Sequence, residues 1–162
     1  RCHKAAKSLK SLKSPIVLDA TMEYYEKDPE TDEEEKHCPA ASLSKAGVTW
    51  AMSLSTATSG MNRYPWWQMA TAIRNGVSRD EALKALTVVP AKILGLDDQV
   101  GTLEVGKRAN IQILTGDPLK ATSWVDKVLL DGEVVYDRSK DARLQYLFGK
   151  SDPKTAAKKG AK

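Results

Sequence analysis

Several features that mark particular classes of protein are missing from this sequence. Its 162 residues include only two Cys, which excludes a disulfide-rich scaffold. No apolar run approaches the ~20 residues of a membrane-spanning helix, so we expect no membrane partner. The sequence contains no GxSxG, GxGxxG or P-loop pattern. No signal segment follows Arg1, and the sequence therefore does not indicate a compartment.

Positive charge is confined to the two ends of the chain. The net charge is +4, but residues 1–13 carry +5 and residues 150–162 carry +4, which leaves −5 for the interior. A nucleic-acid-binding domain instead gathers Lys and Arg on one face of its fold. We therefore predict no nucleic-acid partner, although the pI is about 9.0.

An amphipathic helix is predicted over residues 4–12. Ala5, Leu9 and Leu12 have the spacing of one apolar helix face. The polar face is predicted by lysines that recur every three residues: Lys4, Lys7, Lys10 and Lys13.

Two apolar runs of strand length follow this helix. They are PIVLD at residues 15–19 and VTWAMSLS at residues 48–55, and continuous apolar runs of this length are typical of buried parallel strands. Between them, residues 20–37 are acidic and poor in aliphatic side chains, which predicts a loop or excursion. A helix is predicted over residues 39–46, because PAASLSKA opens with Pro and is followed by Gly47.

A helical pattern continues through the middle of the chain. The segment WWQMATAIRN has Pro65 near its start and Gly76 just past its end. Ser78 and Glu81 then have the spacing of a capping box, in which Ser78 accepts from the Glu81 amide and the Glu81 carboxylate reaches back. The pattern ends at Gly95.

After this point the sequence predicts short strands. They are expected at Leu103, in ANIQIL and in DKVLLDGEVVY, with a turn at Glu104-Val105-Gly106. The pair Asp131-Gly132 predicts a two-residue hairpin, because both turn positions require positive φ.

Three motifs in this part of the chain resemble those of a known family. They are GVSRDEAL from Gly76, TVVPAKILG from Thr87 and GTLEVGKRAN from Gly101. The pattern resembles the C-terminal part of the amidohydrolase superfamily, in its imidazolonepropionase-like branch. Asn110 stands where members usually have Asp. Residues 76–136 carry the resemblance, which extends back through SPIVLD and SKAGVTWAMSLS.

The resemblance implies an α/β fold: the C-terminal part of a TIM-type (β/α)8 metallo-hydrolase barrel, followed by strands of a small β-sandwich. A complete barrel needs ~250 residues, so we expect the chain to be a C-terminal fragment of a longer protein. The implied parts are residues 1–98 for the last strands and helices of the barrel, residues 99–138 for the sandwich strands and residues 139–162 for a charged, flexible tail.

The resemblance also implies a reaction. Members use a divalent metal, usually zinc, to activate water that attacks a carbon–nitrogen bond other than a peptide bond, in cyclic amides or related small molecules. Their His ligands lie on earlier strands, so we expect no metal bound by this segment. After the last strand, members carry an Asp that binds metal and acts as a general base. Ser55 stands at that position here, and Ser55, Thr56 and Ser59 are candidates for the substrate loop.

Ser55 leaves three interpretations open. The protein is a non-catalytic member that serves as a binding or structural module, since a neutral hydroxyl cannot take a proton from metal-bound water as a carboxylate does. It is an active variant that uses another base. Alternatively, its active site is arranged differently from the family pattern. A homo-oligomer is also left open.

Two adjacent Cys/His pairs are weaker candidates for a site. Cys2-His3 and His37-Cys38 together supply four ligand types that suit zinc, although neighbouring residues point in different directions. The same pairs also permit a Cys2–Cys38 disulfide in an oxidising compartment.

Two further features have simpler interpretations. The acidic run at residues 26–36 lacks the spacing and the central Gly of an EF-hand, so we interpret it as a solvated loop. Trp66 and Trp67 are interpreted as residues that pack a helix against the barrel, with a place at the substrate mouth as the alternative.

Overall fold

The computed structural model describes residues 2–19, 21–53 and 65–148, with side chains from Lys4 onward. No helix within these ranges is long and apolar enough to cross a membrane. The elements are α1 (Cys2–Ser11), β1 (Ile16–Leu18), β2 (Tyr24–Lys27), β3 (Glu34–His37), α2 (Pro39–Ala46), β4 (Trp50–Met52), α3 (Pro65–Arg74), α4 (Arg79–Lys84), α5 (Val88–Ile93), β5 (Ile111–Leu114), β6 (Val125–Leu130), β7 (Glu133–Asp137), a 3₁₀ turn (Arg138–Lys140) and α6 (Ala142–Leu147).

The chain divides into two compact units. The first comprises Arg1–Lys107 with Leu119–Ala121, and the second comprises Arg108–Pro118 with Thr122–Lys162. The predicted boundaries near residues 98 and 138 stay a prediction.

A pair of parallel strands lies in the first unit. β1 pairs with β4 in a register that joins Ile16 to Trp50 and Leu18 to Met52, which confirms the prediction of parallel strands. All three residues of β4 are buried. A strand buried on both faces needs apolar residues at successive positions, which is why apolar and polar residues do not alternate in β4.

Helices that precede and follow β4 along the chain contribute to the core of the first unit. Leu43 of α2 and Met69 of α3 are 0% exposed, and Trp50 of β4 is 2% exposed. Ala72 and Ala82 are fully buried beside them in the same cluster. Their small side chains leave room for the larger ones, as close packing requires.

Local signals place the middle helices correctly. α2 begins with Pro39 and ends at Gly47, whose φ of 70° is left-handed and whose amide donates to the Ser44 carbonyl. α3 covers the predicted segment from Pro65, and Gly76 follows it with φ 101°. The helix predictions here are therefore confirmed.

The N-terminal helix forms, but its apolar face differs from the prediction. α1 packs against α2. Ala6 is buried and Leu9 is half-buried, whereas Ala5 is exposed. Leu12 is 66% exposed because the helix ends at Ser11 and the chain leaves the helical period there.

Residues 20–37 are the predicted excursion, but they are not a loop throughout, because β2 and β3 form an antiparallel hairpin there. Its turn is held by Asp28, whose Oδ1 accepts from the amides of Glu30 and Thr31 at 2.7 and 3.1 Å. Lysine contacts offset the acidic charge: Lys4–Glu26 at 2.8 Å, Lys27–Asp32 at 2.6 Å and Lys36–Glu23 at 2.9 Å. Pairing and charge neutralisation therefore take the place of aliphatic side chains.

The second unit contains an antiparallel sheet in the order β5-β6-β7. Asp131 and Gly132 have φ of 48° and 88°, which confirms the predicted two-residue turn between β6 and β7. Within the ranges described, this unit has one sheet of three strands, and the second layer of a sandwich stays a prediction.

One expectation for the second half of the chain needs correction, whereas the flexible tail over residues 139–162 stays a prediction. Leu103 belongs to no strand and is 80% exposed, although the turn at Gly106 is present with φ 93°. The predicted tail begins with the 3₁₀ turn and α6, where Asp141 Oδ1 accepts from the Arg143 amide at 2.9 Å. Residues 149–162 lie outside the described part.

Candidate functional site

The parallel pair creates an edge at which both strands end. The ladder joins Leu18 to Met52, and the Ser53 amide donates to the Leu18 carbonyl at 2.7 Å. Asp19 and Ser53, which follow the two strands, therefore lie side by side at the carboxyl edge. Barrel enzymes place their reacting groups at this edge.

Asp19 is the acidic group at this edge. It is exposed, and its Oδ1 accepts a hydrogen bond from the Thr21 amide at 2.8 Å. This Asx turn holds one carboxylate oxygen against the backbone, so that Oδ2 is available to another donor. Asp19 was not among the predicted site residues, although its place directly after a predicted buried strand was a usable signal.

The predicted site residues Ser55, Thr56 and Ser59 lie outside the described residues, as does the rest of segment 54–64. Their assignment to the metal position and the substrate loop stays a prediction.

The described residues do not fit a zinc centre. They contain no group of three or more His, Cys, Asp or Glu placed to hold a metal ion. In that part of the chain Asp19 is the one carboxylate that directly follows β1 or β4, and a zinc site needs three or four ligands. We therefore assign no metal-dependent step to these residues.

Cys38 lies where β3 leads into α2, and it is a buried free cysteine. The Cys2–Cys38 disulfide is thus not formed. Burial raises the pKa of the Cys38 thiol, against the opposing effect of hydrogen bonds from the Ala41 and Ala40 amides. A raised pKa disfavours the thiolate, so this thiol is unsuited to a nucleophilic role.

His37 lies beside two carboxylates. Its Nε2 lies 3.6 Å from Glu35 Oε2 and 4.0 Å from Glu26 Oε2, and its ring packs against Tyr24 with centroids 5.4 Å apart. Because the side chains of residues 2 and 3 are outside the described set, the zinc site with Cys2-His3 stays untested.

Glu23 joins the hairpin to the end of α3. Its Oε1 accepts from Asn75 Nδ2 at 2.7 Å, Lys36 Nζ at 2.9 Å and Arg74 Nη2 at 2.9 Å. The three donors, with Asn75 foremost, lower the pKa of Glu23 from 4.5 to about 2. We call this group the Glu23 clasp.

The first residue of β4 is tied to α4 through polar side chains. Glu81 Oε1 accepts from Ser44 Oγ at 2.6 Å and from Trp50 Nε1 at 3.0 Å. Ser78 does accept from the Glu81 amide at 3.2 Å, so half of the predicted capping box is confirmed. The other half is wrong, because the Glu81 carboxylate satisfies the buried indole N–H instead of reaching back.

Trp66 and Trp67 occupy the first turn of α3, directly after segment 54–64. Their rings meet edge to face with centroids 6.2 Å apart. Trp66 is half-buried and Trp67 is 57% exposed, and the packing of both against the barrel stays a prediction.

With this geometry in hand, comparison with known proteins defines the class. The profile of the amidohydrolase family matches residues 25–135, which is more than half of the chain. The chain therefore belongs to the amidohydrolase family.

Individual relatives fall within the same class. An N-substituted formamide deformylase from Arthrobacter pascens is 29% identical over 107 residues, and an imidazolonepropionase from Thermoplasma volcanium is 38% identical over 71 residues. These matches cover 62% and 40% of this chain but only 18% of each relative. A solved amidohydrolase from Thermotoga maritima is 33% identical, with a TM-score of 0.69, and the match covers 84% of this chain and 35% of that one.

Proposed function

We propose that this chain is the barrel-closing, C-terminal part of a hydrolase that cleaves carbon–nitrogen bonds other than peptide bonds in a small molecule. The observation that carries the proposal is the family match over residues 25–135, which includes β4 and the helices after it. The similarity to a protein named for N-substituted formamides and to one named for imidazolonepropionate favours formamides or cyclic amides as substrates.

In this proposal, β1 and β4 are the last two strands of a TIM-type barrel, and the chain after residue 99 contributes strands to a small β-sandwich. The described residues position the carboxyl edge of the barrel. The Glu81–Trp50 contact fixes the start of β4, and the Glu23 clasp fixes the excursion between the strands. The zinc that the family resemblance implies would take its ligands from other parts of the whole protein.

A second candidate function is a non-catalytic binding or structural module. One observation favours it: residues 38–79 contain no Asp or Glu, so β4 and the segment after it cannot supply the carboxylate that family members place there. Under this alternative, the family fold is kept without the general base.

The full-length protein distinguishes the two functions. We expect it to hydrolyse N-benzylformamide or hydantoin and to contain a stoichiometric divalent metal by elemental analysis. Absence of turnover, together with a gain of turnover in Ser55→Asp, would instead establish that the missing carboxylate has silenced the site. Ser59→Asp is the matched control, because it adds the same charge four residues away.

A further inference from the structure

We propose that Asp19 recognises the substrate at the carboxyl edge, by accepting a hydrogen bond from an N–H group, neutral or cationic, next to the bond that is cleaved. This inference rests on the proposed function, because it takes the carboxyl edge of β1 and β4 as the site where substrate binds.

Asp19 lies at the carboxyl edge of the strand pair. Leu18 and Met52 are register partners, and the Ser53 amide continues the ladder to the Leu18 carbonyl at 2.7 Å. Asp19, the residue after Leu18, is thereby level with Ser53. Its strand, β1, pairs with β4, and Ser55 follows β4 along the chain. A side chain at this position lies within the same ring of strand ends as the family's reacting groups.

Acidic residues are absent from a long stretch around β4. From residue 38 to residue 79 the sequence contains no Asp or Glu, which covers α2, β4, α3 and every residue between them. The next acids, Asp80 and Glu81, are engaged elsewhere: Asp80 Oδ2 pairs with Lys84 at 2.6 Å, and Glu81 Oε1 accepts from Ser44 and Trp50. Asp19 is therefore the one acidic side chain in the described part of the chain that directly follows β1 or β4.

The hydrogen bond to the Thr21 amide orients the Asp19 carboxylate. The bond from the Thr21 amide holds Asp19 Oδ1 at 2.8 Å, and the carboxylate is exposed. A carboxylate fixed by one oxygen presents the other in a defined direction and loses little freedom when it accepts a second donor. The nitrogen of a secondary or cyclic amide, which is one atom of the carbon–nitrogen bond, carries such a donor.

An Asx turn alone would also explain why Asp19 is present, and the choice of variant separates the two explanations. Asn keeps an Oδ1 acceptor for the Thr21 amide but removes the negative charge. Asp28→Asn is the matched control, because Asp28 is exposed and its Oδ1 accepts from the amide two residues on, at 2.7 Å.

The test uses the full-length protein with N-benzylformamide and hydantoin, and it measures both turnover and calorimetric binding. We expect Asp19→Asn to raise KM, and Kd in parallel, about 10-fold to 100-fold, the range for a lost hydrogen bond to a charged group. We expect kcat to change by less than about threefold, since the group binds substrate and does not move a proton. Asp19→Glu should recover part of the loss, and Asp28→Asn should behave as the unaltered protein.

Each other outcome has a defined meaning. If the protein turns over a probe and Asp19→Asn matches Asp28→Asn, the proposed hydrolase stands and the Asp19 inference is overturned. If the protein binds a probe in an Asp19-dependent way without turnover, the role of Asp19 as an acceptor for a ligand N–H stands, whereas the hydrolase proposal and the position beside a cleaved bond fail. If neither binding nor turnover of either probe is detected, both are overturned.

Discussion

The two units are stabilised in different ways. The first is built around side chains that are fully buried, such as Leu43 and Met69 at 0% exposure. In the second, no described residue is buried, and Leu130, Val134 and Val135 are 54, 55 and 59% exposed. Its sheet is held by the β5-β6-β7 ladder and a tight turn. The same substitution should therefore have unequal effects in the two units.

The largest expected effect compares one leucine from each unit. Leu43→Ala should lower the free energy of unfolding of the first unit by about 2–5 kcal/mol, because it leaves a cavity in a packed core. Leu130→Ala should cost less than about 1 kcal/mol, since that side chain is 54% exposed. Urea unfolding followed by circular dichroism measures both. Equal losses would show that Leu130 is covered in the whole protein and would remove the contrast between the units.

Removing a polar contact should also cost more free energy of unfolding in the first unit than in the second. Glu81→Ala removes the carboxylate that accepts from Ser44 Oγ and from the Trp50 indole, which keeps Ser44 Oγ as an acceptor at 2.9 Å, and should cost about 1–2 kcal/mol. Glu81→Gln keeps an acceptor and should cost less. In the second unit, Arg108→Ala removes an exposed pair with Asp131 at 3.8 Å and should cost less than about 0.5 kcal/mol. The expectation is contradicted if thermal unfolding ranks Arg108→Ala above Glu81→Ala.

The smallest effect concerns acid stability. The pKa of Glu23 is lowered from 4.5 to about 2 in the fold, so its contribution is fully present above pH 4.5 and is lost as the pH falls through about 2. Because its partner Arg74 is 66% exposed, we expect Glu23→Gln to cost only about 1 kcal/mol at pH 7.

The comparison for this prediction is Asp137→Asn in the second unit, where bonds from Ser139 lower the pKa of the carboxyl. Unfolding free energies at pH 7, 4.5 and 2.5 should lose part of their pH dependence in Glu23→Gln and less of it in Asp137→Asn. A pH profile of Glu23→Gln that coincides with that of the unaltered protein would exclude a stabilising role for the Glu23 clasp.

Sequence reasoning succeeded where the signal and the structure are close along the chain. Gly47 ends α2 and Asp131-Gly132 turns the β6–β7 hairpin, because each depends only on its own backbone conformation. It failed where a partner is remote. The capping box places the Glu81 carboxylate on the backbone of Ser78, three residues away. The carboxylate instead accepts from the indole of Trp50, which is buried and 31 positions away.

The β2–β3 hairpin was not predicted, for a different reason. Its residues are charged, and the aliphatic alternation that predicts strands is absent. Its register is fixed by the Asp28 turn and by lysines that include one from α1, at Lys4. The candidate site was predicted in part: the carboxyl edge was identified through β4, whereas Asp19 on the neighbouring strand was not considered as a functional residue.

The parallel register also constrains the order of folding. Ile16 and Trp50 are 34 positions apart, whereas the β2–β3 turn closes over six residues. Loop entropy makes the longer closure costlier by about 1.5 kcal/mol, since each doubling of length adds about 0.6 kcal/mol. The hairpin and α2 both lie inside that loop, so their earlier formation would shorten the flexible chain to be closed. Folding of the first unit is thus expected to begin in the charged excursion and to reach the carboxyl edge last.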